Sequence, residues 1–508
     1  MSGDVSKSSE FRLETKSYVL RFKMLFPITS SRWDFDDAAH LLVRAGFGGG
    51  AAEIQKILAL GPEKAVDSLM NAPLEDNLPP TWAKPDDQAE LRAQFQEATT
   101  PDEKQMARKL LREKFVGEMK DLTRWWVTQM LNTPSPFIEK MTLFWHGHFA
   151  TSAQKVRPAY KMWLQNETLR QHALGNFRTL VKAVSRDPAM MIWLDIVQSK
   201  KESPNENFAR EVMELFTIGE GNFTESDVKE AARAFTGYRI NQAEQSFRFA
   251  ERQFDPGMKT FMGKTGPWDG DQILDIIVSQ PDCARFIGAK IWKFFVYDEP
   301  EPKLVDALAS EFRNLHYELR PVMKSLFLSE EFYSPQARNS QIKSPVQFLV
   351  QALRTLPIPL PDPNVVEFAF RQMGQVPFYP PNVKGWDGGK SWINTATLTF
   401  RYKLAHQLVE GINPQEIGFP KPPELDMTTP RPTMTPPLLV DQIVSQADRI
   451  QPNALIKKLF IRIFQCTPQD ELTGKFLDFI AARELPLEDS AIRELVLLMM
   501  TTPNYQVT

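Results

Sequence analysis

Two histidines stand two residues apart in Phe137-Ile-Glu-Lys-Met-Thr-Leu-Phe-Trp-His-Gly-His-Phe149, at the end of an apolar helical run. The aromatics Phe144, Trp145 and Phe149 surround the imidazoles of His146 and His148. A neutral imidazole in an apolar wall serves as a metal ligand or as an acid-base group with a shifted pKa. Gly147 permits an extended backbone, which would put both rings on one side. A third ligand must then come from elsewhere in the fold. The alternative is that both rings satisfy backbone groups at a helix terminus.

A second chemical segment runs from Pro204 to Gly219, reading Pro-Asn-Glu-Asn-Phe-Ala-Arg-Glu-Val-Met-Glu-Leu-Phe-Thr-Ile-Gly. Asn205 can cap a helix whose first turn holds Glu206, where the helix dipole favours an anion. Phe208, Val212, Leu215 and Phe216 share one face, and Glu206, Arg210 and Glu214 lie away from it. Glu211 falls beside the apolar face, about 40° from Leu215, and is the carboxylate this pattern desolvates. Burial raises a carboxyl pKa, as a general acid or base requires. Glu211 and Glu206 are therefore candidate catalytic groups with His146 and His148, and Arg210 is a candidate contact for an anionic or hydroxylated substrate. Two imidazoles and the Glu211 carboxylate would also suit zinc or a similar divalent ion. An ion-pair ladder of Glu206, Arg210 and Glu214, with Glu211 bound to a core arginine, explains the same residues structurally.

The stretch Tyr379 to Trp392 is irregular, because its prolines and glycines exclude both regular elements. Trp386 and Trp392, with Trp145 and Lys384, are candidate substrate-binding residues, the indoles offering flat faces to a sugar, a ring or a cation. A packing loop that plugs a helical body accounts for them equally.

The elements that must position these groups are mostly helices. Apolar residues recur at three- and four-residue spacing and alternating runs are scarce, which predicts a predominantly α fold with few strands. Of the 508 residues 42% are hydrophobic and 24% charged, with a net charge of -3, an ordinary globular composition. With Lys+Arg at 60 and Asp+Glu at 63 no positive excess exists to bind a phosphate backbone, so nucleic acid is not an expected partner. Small-molecule, glycan and protein partners stay open. Two cysteines make neither a disulfide framework nor a thiolate cage.

Residues 1–32 read as an N-terminal extension without a signal-type apolar core, so the chain as written is expected in the cytoplasm unless its N-terminus is processed. No transmembrane segment is expected. A main helical body spans 33–410, beginning with a helix from Asp36 to Arg44 that stops at Gly46-Phe-Gly-Gly-Gly50. That cluster reads as a helix C-cap and not as a phosphate loop, which would precede its helix and carry a Lys-Ser/Thr pair. Residues 84–121, rich in Glu, Lys, Gln, Arg and Ala, form a solvated helical excursion. Asp187 should cap a helix with Pro188 at its first position, and Thr224 with Asp227 has capping-box spacing. Eight prolines between 411 and 437 mark a linker, followed by a helical segment at 438–508.

Several ordered segments together resemble the bacterial family catalogued as domain of unknown function 1800. They are His40 to Gly48, Lys140 to Ser152, His172 to Phe177, Ala183 to Pro188, Asn205 to Gly219, Ala231 to Gly237 and Pro380 to Trp386. The resemblance spans nearly the whole chain and implies no reaction, because the family is defined by similarity. Two readings follow: an enzyme of acid-base or metal-assisted hydrolase type acting on a glycan or other polymer, or a non-catalytic helical binding or assembly protein in which the same motifs are buried structure.

Overall fold

A computed structural model describes residues 25–73, 78–85, 87–418 and 433–508. Among these are twenty α-helices and two two-stranded antiparallel sheets, so the fold is predominantly α. The sheets are hairpins, Tyr238–Asn241 with Ser246–Phe249 and Lys259–Phe261 with Lys264–Gly266. Most of the N-terminal extension and most of the proline-rich stretch lie outside the described residues. No described helix is long and apolar enough to cross a membrane.

Local chemistry explains where many helices begin. Phe35–Arg44 starts on Asp34, whose side chain accepts from the Asp37 N–H while the Asp37 carboxylate accepts from Asp34. It ends in the glycine cluster as expected, with the Gly48 N–H reaching back to the Leu42 carbonyl at 3.1 Å. Gly48 has φ +79°, and a Cβ there would overlap the Gln465 amide. Thr224 and Asp227 form the expected capping box on Glu225–Ala234, and Asp187 caps Pro188–Trp193.

The excursion at 84–121 comprises Ala89–Glu97 and the first part of Pro101–Asn132, a 32-residue helix. Lys114 pins it by pairing with Asp87 at 2.7 Å and Glu118 at 3.1 Å. The later part of the long helix is core, with Leu122, Trp126 and Met130 fully buried.

Two apolar clusters organise the body. One gathers residues of 25–70, 137–149 and 169–337, among them Trp145, Phe177, Phe208, Trp292 and Phe327. The other joins Trp126, Phe348, Phe370 and Leu408 to Leu438, Leu459, Ile492 and Met499, so the C-terminal helices share a core with helices that precede the proline-rich stretch. The described ends of that stretch pair with each other, Ile412 and Thr435 exchanging two backbone bonds of 3.0 Å. Helix Pro136–His148 lies between the clusters, giving Phe137, Met141, Phe144 and Trp145 to the first and Leu143 to the second.

Candidate functional site

The histidine motif does not adopt the extended geometry that would align its rings. Pro136–His148 stays helical through Gly147, and Phe149 closes it with a 2.8 Å bond to the Trp145 carbonyl. Residues two apart on a helix point about 200° apart, so the imidazoles face different surroundings. His146 Nε2 accepts the Phe378 N–H at 2.9 Å, and its ring sits 5.1 Å from Trp126 and 5.8 Å from Trp386. His148 Nε2 lies 3.0 Å from the Phe216 carbonyl, which can only accept, so that nitrogen carries the proton. Its Nδ1 then accepts from Lys290 Nζ at 3.3 Å, while Lys290 also donates to the Leu215 carbonyl at 3.0 Å.

Both rings are buried and neutral: burial pushes His146 down to about 3, and burial with Lys290 nearby holds His148 well below its ordinary value. The expected metal set of His146, His148 and Glu211 is therefore not assembled. The helix diverges the two rings, and no group of three or more His, Cys, Asp or Glu side chains among the described residues is placed to hold a metal ion. Trp145 is likewise corrected from substrate wall to core. It is fully buried between Phe149 and Phe177, and its indole N–H donates to the Ala173 carbonyl at 3.0 Å.

The carboxylate helix, Asn207–Glu214, abuts this motif through its last turn, which supplies the carbonyls of Leu215 and Phe216. Asn205 Oδ1 accepts the Asn207 N–H at 2.9 Å, and Glu206 stands at the cap position. The Arg210 fork is taken by Glu225, with two bonds of 2.7 Å, and Glu206 lies 3.6 Å from it. Glu211 is half-buried, and burial followed by the neighbouring Glu214 raises its carboxyl pKa against the pull of Arg210 and Lys384. No hydrogen bond or ion pair engages this carboxylate among the described residues, so the expected core arginine is not its partner.

The aromatic loop closes over the histidine turn. Gly385, at φ +83°, sits so tightly on the Gly147 carbonyl that a Cβ would overlap its oxygen. Trp386 is half-buried against His146, Lys384 is exposed on the side of Glu211, and Trp392 is buried to 6% at the end of a 3-10 turn, Gly389–Trp392. The fold thus gathers His146 with Trp386, and Glu211 with Lys384. Trp145 meets the other imidazole, its ring 5.6 Å from that of His148.

Sequence reasoning missed two features. Lys140, buried on the same helix, donates to Gln347 Oε1 at 2.5 Å; Gln347 donates to Gln351 and Gln351 to Gln465, each at 3.1 Å, and Gln465 to the Gly49 carbonyl. This one-way chain of donors links the cluster-spanning helix to a cleft of about 150 Å³ bordered by Asp36, His40, Arg338, Gln351, Phe464 and Gln465. Its wall residues come from five stretches of chain, which no local motif announces. His40, a polar residue in the apolar stripe of the first helix, was the one local signal.

Burial, with Arg44 adding to it, lowers Lys140 from 10.5 to about 7. Between about pH 7 and 10 the unfolded chain carries a proton here that the folded chain lacks, so Lys140 makes stability rise with pH across that window. Melting curves of Lys140→Met should lose this rise. An unchanged slope of Tm on pH would mean that the folded state keeps the ammonium charged.

The family model described as "Protein of unknown function (DUF1800)" matches residues 40–507, and the chain belongs to that family. No curated protein and no solved structure matches the chain.

Proposed function

We propose that this family member is a non-catalytic helical binding protein, and that its histidine helix, carboxylate helix and aromatic loop form the seam holding two apolar clusters together. The observation that carries this reading is the commitment of the imidazoles. His146 takes the Phe378 N–H, and His148 is held between the Phe216 carbonyl and Lys290, both rings within an aromatic wall. His148 so engaged has no nitrogen left for a substrate or an ion, His146 keeps only a buried Nδ1 that must carry the proton because Nε2 accepts, and removing either ring strands buried polar partners.

His148→Ala should cost about 2 kcal/mol or more in urea denaturation, because the Phe216 carbonyl and Lys290 lose their partner in the interior. Glu211→Gln should leave stability within about 0.5 kcal/mol, since no described residue pairs with that carboxylate. A fully stable His148→Ala protein would sink the seam reading.

One observation favours a second reading, an acid-base enzyme of hydrolase type acting at the Glu211 and Lys384 edge. Glu211 is uncommitted and its carboxyl is raised by burial, the condition of a proton carrier beside a solvent-facing loop. NMR titration of Glu211 decides it: an ordinary glutamate pKa of about 4.3 removes this reading.

A further inference from the structure

We propose that the cleft between the first helix and the C-terminal helices is a binding site for a small, neutral polyhydroxylated molecule, a single sugar ring or a short polyol. The inference rests on the binding reading above and supplies its ligand.

Five segments build the walls: Asp36 and His40 from Phe35–Arg44, Arg338 and Asn339 from the turn beyond Tyr333, Gln351 from Pro345–Thr355, Phe464 to Thr467 with Gln469 after Pro452–Ile463, and Val507 with Thr508 after Pro503–Gln506. The space of about 150 Å³ is that of a cavity able to take a ring such as benzene. Its lining is too polar for an apolar guest.

His40 points to the ligand. Its side chain is 8% exposed, and its Nε2 lies 3.0 Å from the Phe332 carbonyl, which fixes the proton on that nitrogen. Nδ1 is then an acceptor in a ring that lines the cleft, and no described residue donates to it. The ligand must bring an O–H or N–H donor.

Charge narrows the class further. Asp36 already accepts the Thr467 N–H at 2.6 Å and the Thr467 hydroxyl at 2.7 Å, and Arg338 is ion-paired with Asp37. An anionic guest would find Arg338 already paired, a cationic guest would have to compete with Thr467 for the Asp36 oxygens, and either would lose hydration on entry. A neutral guest that both donates and accepts meets what remains: the His40 acceptor, the spare N–H groups of Arg338 and the side chains of Asn339 and Gln469. The amides of Gln351 and Gln465 are held in one orientation by the donor chain from Lys140, which reduces the ordering cost of binding. Phe464, half-buried at the edge, offers an apolar face to the C–H side of a sugar ring. Hydroxyl groups spaced on a carbon frame satisfy all of these together.

The cysteines provide a reporter. Cys466 borders the cleft and Cys283 is fully buried elsewhere; burial and Asp36 raise the Cys466 thiol to about 12, so its labelling in the folded full-length chain is slow and is followed at alkaline pH. Glycerol and a panel of neutral monosaccharides are titrated while this labelling is followed, with gluconate and glucosamine as charged counterparts. At least one neutral compound should slow Cys466 alkylation fivefold or more in a saturable manner, and calorimetry should give the same Kd. His40→Phe, which keeps a ring and deletes the acceptor, should weaken binding at least tenfold with its helical circular dichroism intact. Should His40→Phe fail to fold, Gln469→Ala and Asn339→Ala on the rim take its place, and together they should weaken binding at least threefold.

Absence of saturable protection by every neutral compound overturns the site, as does an unchanged Kd in the folded variants. Tighter binding of gluconate or glucosamine than of the neutral sugars overturns the ligand class. These results are independent of His148→Ala, whose stability tests the seam, so failure of either idea is distinguishable.

Discussion

Replacing Glu139 by alanine is expected to cost about 3–5 kcal/mol of stability, among the largest single-site losses available in this fold. Glu139 and Arg170 are each 2% exposed and joined by bonds of 2.6 and 3.0 Å, and the second carboxylate oxygen also accepts the Trp126 indole N–H at 2.7 Å. One carboxylate thereby ties together helices Pro101–Asn132, Pro136–His148 and Ala159–Gln171. Without it the guanidinium keeps only Glu167 and Asn166, and the Trp126 N–H has no acceptor in an apolar interior. Urea denaturation should show the midpoint falling with an unchanged m-value. The double variant Glu139→Met/Arg170→Leu should recover most of the loss, because a hydrophobic replacement of both partners removes the stranded charge. A single variant within about 1 kcal/mol of the parent would mean that water reaches this pair.

The second large effect is expected at Gly385. An alanine there meets two independent penalties: φ is +83°, where an L side chain is strained, and the new Cβ would overlap the Gly147 carbonyl oxygen. The neighbour is backbone inside a helix and cannot swing aside as a long side chain could. Strain and overlap together should cost about 3 kcal/mol. They should also lift the loop off the histidine turn. Trp386 would leave the His146 ring, so its fluorescence should shift to the red, and the Phe378 N–H that now bonds His146 should exchange faster with solvent. Alanine at Gly147, where a Cβ meets nothing, is the control and should be tolerated. Equal stability of Gly385→Ala and Gly147→Ala would show that the loop does not rest on this turn.

Helical periodicity, capping chemistry and turn residues were legible because each is decided within one turn of chain. Asp187 before Pro188, Thr224 with Asp227, and the glycines after Arg44 all did locally what their types predict. The placement of Glu211 beside the apolar face was also readable, since helical geometry alone half-buries it. The histidine pair was not. Gly147 allows an extended backbone, but the helix persisted because its apolar residues face the two clusters on either side, and that packing outweighs the freedom of one glycine.

The cleft lay beyond sequence reading for a different reason. Asp36, Arg338 and Thr467 are more than a hundred positions apart, and what makes them a site is which of their polar atoms are already engaged. The amino-acid sequence by itself determined a predominantly α chain of this family, the starts and stops of many helices, and a carboxylate poised at an apolar edge, all consequences of short-range geometry and periodic burial. Tertiary structure alone decided that the imidazoles face apart, that the aromatic loop seats on Gly147, and that a neutral His40 acceptor borders a polar hollow. Those outcomes depend on partners supplied by distant segments, and a hydrogen bond is settled only when both of its ends are in place.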